Sequence, residues 1–527
     1  MKELPWVDVV VLVLYVGTVS AVGSYFVRNS KTVAQFTAGG GRIPGWAVAF
    51  SLFGTYLSSM TFLGVPGKAY GGNWNPFVFS LTLPVAAFFA SRYFIPFYRD
   101  TGEISAYTHL EARFGPWART YTMLCYVLNQ VARIGAILLG VALVLKSLLG
   151  WDMSTTIIVT GAIVTFYTLL GGIEAVVWTD VVQSAVLLIG AATALFLLVT
   201  GMPEGPGQIL AIAREHGKLS LGSWGPSISD STVWVVFAYG VAINLNNFGI
   251  DQDQVQRYHV ARSHRSAARA VWAMALLYVP ASFMFFAIGT SLFAYYEVHP
   301  EMLEQVRSQV AATRLDIELR TADATQQAAI AQAAAALTPA DIGDKVFPHF
   351  IINGLPVGLV GLLVAALLAA AMSSIDTSLN CSATVILKDI YARFINPQAT
   401  EKQSMRVLHG ATLLWGAMGT TVALLLIRVN SMLDAWWLIS GIFAGGMLGL
   451  FLLGFASRRS NNAGAVIGVI VGLLVIVWMT LPSVDQWPES LAVLRSPFHA
   501  NLATVIGTLT IFLVGAFASR FFPQRSE

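Results

Sequence analysis

Ala370, Ser373, Ser374 and Thr377 recur at i, i+3, i+4 and i+7, so a helix would carry all four on one face. That face offers oxygens with almost no bulk. A hard cation without a carboxylate cage needs several neutral oxygens, and these could join backbone carbonyls freed by a helix break near Gly54 and Leu57. Ordinary back-bonding of Ser and Thr to their own helix is the structural alternative. Three ionisable groups, Arg133, Asp180 and Asp376, also fall inside apolar stretches, where burial without a partner is expensive. Arg133 has no acid beside it in sequence. It suits either a substrate carboxylate or a structural pair with Asp376 or Asp180.

The elements that must hold these groups are membrane helices. Of 527 residues, 56% are apolar and 11% charged, roughly half the charge of a soluble protein, and the mean hydropathy is +0.67. A net charge of +3 leaves no basic surface for nucleic acid, and nothing points to an obligate protein partner. Cys125 and Cys381 both sit in apolar runs, which excludes a disulfide framework or thiolate metal site. The first apolar stretch lacks a basic n-region and a small-residue cleavage site, so it reads as a retained helix.

At about 20 residues per span, the pattern predicts an all-α polytopic membrane protein of about thirteen transmembrane helices. They centre on 5–27, 43–68, 74–98, 118–149, 153–172, 174–200, 232–258, 265–296, 356–392, 403–428, 431–456, 461–481 and 498–521. Lys and Arg gather in the short loops of one side, among them Lys31, Arg42, Arg99, Arg257, Arg262 and Lys388. By the positive-inside rule the N-terminus lies outside and the C-terminus in the cytoplasm. The long outer loop, 297–355, contains an Ala/Gln-rich run at 326–336. It predicts a surface helix, as an inserted segment or a lid.

Two spans are poorly written as plain lipid helices. The second clusters hydroxyls between glycines, from Ser51 to Gly67, and the seventh runs Asn244-Leu245-Asn246-Asn247-Phe248-Gly249-Ile250-Asp251. Irregular backbone at membrane depth survives only where it lines a cavity or is buried in protein. Five spans separate them, the spacing of two five-helix repeats whose first helices are both broken. Interrupted helices in matching positions point to a transporter binding site at mid-membrane. Substrate would complete that cavity against the seventh span, with Asn247 a contact. No P-loop, His-Glu-x-x-His or Gly-x-Ser-x-Gly arrangement stands in a sensible context, so the chain does not read as an enzyme.

Four segments together resemble the sodium:solute symporters, the family of bacterial sodium-coupled sugar, proline and sialic acid transporters. They are Gly39 to Trp46, Gly171 to Gln183, Gln252 to Tyr258, and Ala370 to Asn380 followed by Lys388-Asp389-Ile390-Tyr391. The resemblance covers nearly the whole chain and implies one transporter domain with an inverted five-plus-five helix repeat. An extra helix at 5–27 would precede repeats at 43–200 and 232–456, and two helices at 461–521 would follow.

Carried over, the principal sodium site would use backbone oxygens of Gly54, Leu57 and Ala370 with the hydroxyls of Ser373 and Ser374. Some sialic acid members have a further sodium site near the acid matching Asp180 and three hydroxyls of the ninth span. Those positions here read Ser373, Asp376 and Thr377. The added aspartate would serve a second cation, pair with Arg133, or take a proton. Arg133 matches the arginine that sialic acid members use for the substrate carboxylate, and Ser58 and Thr61 match hydroxyl contacts nearby. Tyr56, Pro76 and Ser80 stand where Thr, Phe and Gln are expected in that subgroup. Ser80 is therefore a substrate contact of altered chemistry. The expectation is sodium-coupled import of a small polar solute such as the sugar acid sialic acid, across a bacterial inner membrane. A neutral sugar, another small carboxylate, or proton-coupled or uncoupled transport are the alternatives.

Overall fold

A computed structural model describes residues 5–26, 30–315, 317, 322–427, 432–480 and 495–522, and the described secondary structure is helical. The helices that shape the centre of the molecule are, in chain order, α1 Trp6–Tyr25, α2 Gly45–Tyr56, α3 Ser59–Gly71, α4 Pro116–Leu149, α5 Met153–Thr200, α6 Val233–Ile250, α7 Gln252–Val260, α8 His264–Val298, α9 Pro339–Asn353, α10 Leu359–Val385 and α11 Glu401–Leu426. Among the described residues nine helices are long and apolar enough to cross a membrane, and α2 with α3, bent by 59°, make a tenth as one broken span. Large apolar side chains such as Phe166, Phe196, Leu425 and Leu474 face outward. That outer surface suits hydrocarbon, and a soluble protein would not carry it.

Both breaks expected from the sequence are present. In the first, Leu57 is extended (φ −94°, ψ 97°) and Ser58 caps the following helix in an extended conformation. Ser and Thr compete with helical backbone for hydrogen bonds, which is why a hydroxyl-rich stretch yields here. A terminated helix leaves carbonyls without intrahelical donors. The structure satisfies two of them from other helices: Gly54 accepts from the Ser373 hydroxyl (2.8 Å) and Thr55 from Arg133 (2.8 Å). In the second break Asp251 is extended, and its side chain caps α7 by accepting the Asp253 N–H at 2.8 Å. The Phe248 and Gly249 carbonyls accept from the Tyr258 and Tyr98 hydroxyls, both at 2.7 Å.

The fifth and sixth expected spans are continuous in hydrogen bonding as α5 but turn at Gly172 (φ 58°, ψ −160°). A side chain there would place Cβ 2.9 Å from the Phe36 Cα, so the position requires glycine on two counts. Helix α10 packs most extensively against α5 and is buried along nearly its whole length. Its N-terminus is capped by buried Asp8 of α1, whose carboxylate accepts the Gly358 and Gly361 N–H groups (2.9 and 2.6 Å).

The helix expected in the outer loop spans Ala324–Ala335, between Pro300–Arg314 and α9. Helix α9 packs closely on α3, where a Cβ on Gly67 would come within 2.9 Å of the Gly343 backbone. Part of the insertion is thus joined to the broken span itself.

Candidate functional site

The two breaks, α4 and α8 enclose a cavity of about 570 Å³. Ser58, Thr61, Ser80, Arg133 and Asn247, the five candidate substrate contacts, all line it. Asn75, Ser231, His499 and Asn501 line it as well, so it reaches the loops between the spans. Tyr56 crosses from one break to the other, donating to Asn244 and accepting from the Asn247 amide at 2.7 Å. Its ring packs edge-on against Tyr278. A tyrosine at this position narrows the cavity and fastens α2 to α6. Ser80 and Ser282 hydroxyls are bonded across the cavity wall at 2.7 Å.

The hydroxyl face of α10 meets the first break. Ser373 bonds the Gly54 carbonyl, and Ser374 Oγ lies 3.4 Å from the Ala370 carbonyl. Leu57, Ala370, Ser373 and Ser374 are all buried. A Cβ on Gly54 would stand 2.8 Å from Ser184 Oγ and 3.4 Å from Ser373 Oγ, so a side chain here would have to displace the Ser184 hydroxyl. The candidate donors are neutral oxygens from the first break and from α10, the kind of ligand a hard cation takes. Among the described residues no group of three or more His, Cys, Asp or Glu could hold a metal ion.

The buried charges pair differently from the expectation. Arg133 bonds neither Asp180 nor Asp376. Its guanidinium donates to Asp253 Oδ2 at 3.0 Å and to the Thr55 carbonyl. Asp253 also accepts from Tyr126 (2.5 Å) and Gln130 (3.2 Å), so α4 presents Tyr126, Gln130 and Arg133 to it at i, i+4 and i+7. Asp180 is paired with Arg257 at 3.1 Å, both side chains fully buried. Arg257 was expected among the loop cations, and this is the larger correction. Its guanidinium also bonds Ser51 (2.8 Å), Thr55 (2.7 Å), Thr377 (2.7 Å) and the Asp253 carbonyl (2.8 Å). It thus lies between Asp180 and Thr377, two of the residues considered for a second cation. Another of them, Asp376, accepts from the Tyr167 hydroxyl at 2.8 Å.

Sequence reasoning therefore missed Asp253 and Arg257 as members of the site. Both lie in the Gln252 to Tyr258 segment, and the available signal was the placement of that polar run directly after a broken span. On the other side of the molecule, Arg119 bridges Glu111 (2.9 Å) and Asp389, and Arg393 contacts Glu111 as well. Ser105 donates to Asp389 at 2.8 Å, completing a polar seam that ties α4 to the helical segment Ile386–Ile395 that follows α10.

The chain as a whole is similar to known proteins. A family model described as the sodium:solute symporter family matches residues 36–472. The chain is 31% identical to the sodium/sialic acid symporter NanT of Aliivibrio fischeri over 522 residues, covering 97% of this chain and 93% of that one. It is 32% identical to the sodium/sialic acid symporter SiaT of Proteus mirabilis over 483 residues, 90% of each. A solved Na+-coupled sialic acid symporter, in a substrate-bound outward-open state, superposes with a TM-score of 0.84 at 29% identity and 99% coverage of both chains. The broken helices, the oxygen-lined junction and these matches agree: the chain is an integral membrane protein with the inverted-repeat transporter fold, and it belongs to the sodium:solute symporter family.

Proposed function

We propose that this symporter imports a sugar acid of the sialic acid class, coupled to sodium held by the carbonyls of Gly54, Leu57 and Ala370 and the hydroxyls of Ser373 and Ser374. The observation that carries the reading is the bond between Ser373 and the Gly54 carbonyl, which joins the broken span to α10. Sodium at this junction fastens the two helices, and solute binds in the adjoining cavity against Ser58, Thr61, Ser80, Arg133 and Asn247. Thr55 links the two sites: it follows Gly54 in the chain and its carbonyl is held by Arg133. Each ligand thereby favours the same arrangement of the break, and this is what coupling requires. The membrane potential supplies about 2.3 kcal/mol per charge per 100 mV to inward sodium movement. The loop cations orient the N-terminus outside and the C-terminus in the cytoplasm of a bacterial inner membrane. The repeats are assigned to 43–200 and 232–456, with the two breaks at equivalent places.

A neutral sugar is the second reading, favoured by one observation: Arg133 already holds an anion, Asp253. Thermal stabilisation of the purified protein separates the two, since a ligand that binds only the folded state raises stability by about 2.7 kcal/mol at a hundred times its Kd. Sialic acid is expected to raise the melting temperature in sodium and to leave it unchanged in potassium. Stabilisation by hexoses alone would move the assignment to neutral sugars, and equal shifts in both salts would remove sodium from the mechanism.

A further inference from the structure

An arginine facing a solute cavity ordinarily rewards any carboxylate that reaches it, because a charged, planar donor fork and a carboxylate fit each other. Here the fork is engaged before any solute arrives. Arg133 lines the cavity with 17% of its side chain exposed, and Asp253, at 2%, lines it beside Arg133 and accepts one of its N–H groups at 3.0 Å. Asp253 does not depend on Arg133 alone. The Tyr126 hydroxyl holds one carboxylate oxygen and the Gln130 amide shares the other. Losing Arg133 therefore costs Asp253 one of three side-chain partners and leaves it hydrogen-bonded. Asp251 adds a second carboxylate to the same cavity wall.

We infer that Asp253 is a built-in competitor for the anion-binding face of Arg133 and sets the charge selectivity of the solute site. A carboxylate solute exchanges one anion for another on the guanidinium, so the electrostatic gain from binding is largely offset by the contact given up. A neutral solute leaves the Arg133–Asp253 pair closed and meets no such cost. Selectivity set by an opposing group, in addition to attractive contacts, is a general route to discrimination. The site is thereby tuned to recognise its solute mainly through hydroxyl and amide contacts from Ser58, Thr61, Ser80 and Asn247, with the carboxylate a minor contributor. This rests on the sugar acid reading above but is separable from it.

The test compares binding of N-acetylneuraminate with that of its neutral methyl ester, and of glucuronate with glucose, to the full-length protein in sodium. The unaltered protein is expected to bind acid and neutral member of a pair within about threefold of each other. Asp253→Asn, which keeps shape and removes charge, is expected to bind the acid about tenfold tighter or more and to raise the ratio of acid to neutral affinity by a similar factor, within the usual range of coupling between sites. A preference of the unaltered protein for the acid above about tenfold would overturn the inference, whether or not the variant folds. So would a variant that binds the acid no tighter than the parent. If only the glucose pair binds, the sugar acid assignment falls, yet the acid preference gained by Asp253→Asn still decides the role of Asp253.

Discussion

Ser373→Ala is expected to weaken sodium binding by about ten- to a hundredfold, the value of one hydrogen-bonding group presented to a charge at about 1.5–3 kcal/mol. The serine contributes one of five assigned oxygens and also spans to the Gly54 carbonyl at 2.8 Å. Its removal takes away an assigned ligand and one of the bonds that hold α10 against the first break, the Thr55–Thr377 hydroxyl contact at 3.1 Å remaining. Sodium titrations of thermal stability at fixed solute would read the loss directly. Because linkage is reciprocal, solute affinity at fixed low sodium should fall with it, and saturating sodium should restore solute binding. A variant with unaltered sodium dependence would remove Ser373 from the site. Ser378→Ala serves as the contrast: its hydroxyl bonds Gln130 and the Ser374 carbonyl, away from the first break, so sodium dependence should persist.

Arg257→Met is expected to cost the largest share of stability of any single change near the site, about 3–5 kcal/mol, because it leaves a buried carboxylate without its cation. Arg257 and Asp180 are both fully buried, and the guanidinium binds four further groups on α2, α7 and α10. Removing both charges together should be milder than removing the arginine alone. Asp180→Asn with Arg257→Met is thus expected to melt at a higher temperature than Arg257→Met, a non-additivity that marks a direct pair. Equal melting of the single and double variants would show that Arg257 acts mainly through its hydroxyl partners.

The parts of this architecture that follow from local pattern were legible in the sequence. Apolar runs of membrane length give the helices, and the hydroxyl-rich and asparagine-rich interruptions give the two breaks, because a weakened helix needs no distant partner to fail. The oxygen face of α10 was readable for the same reason, as a spacing of 3 and 4 within one helix. Long-range pairing was not. Arg133 and Asp253 lie 120 positions apart, and nothing in either neighbourhood favours Asp253 over Asp180 or Asp376. Arg257 follows the polar run Gln252-Asp253-Gln254 at the end of a span, so it counts as a loop charge until the extended turn at Asp251 carries α7 against the site. The Asp8 cap on α10 was hidden likewise: an acid in the first turn of one helix gives no sign that it serves another.

The coupling itself is tested most directly by uptake of labelled N-acetylneuraminate into proteoliposomes containing the purified protein. With sodium outside and potassium inside, solute should accumulate transiently above the external concentration. Accumulation should collapse when a sodium ionophore dissipates the gradient, and fail when potassium replaces external sodium. Uptake that proceeds equally without a sodium gradient, or that follows an imposed pH gradient instead, would contradict it.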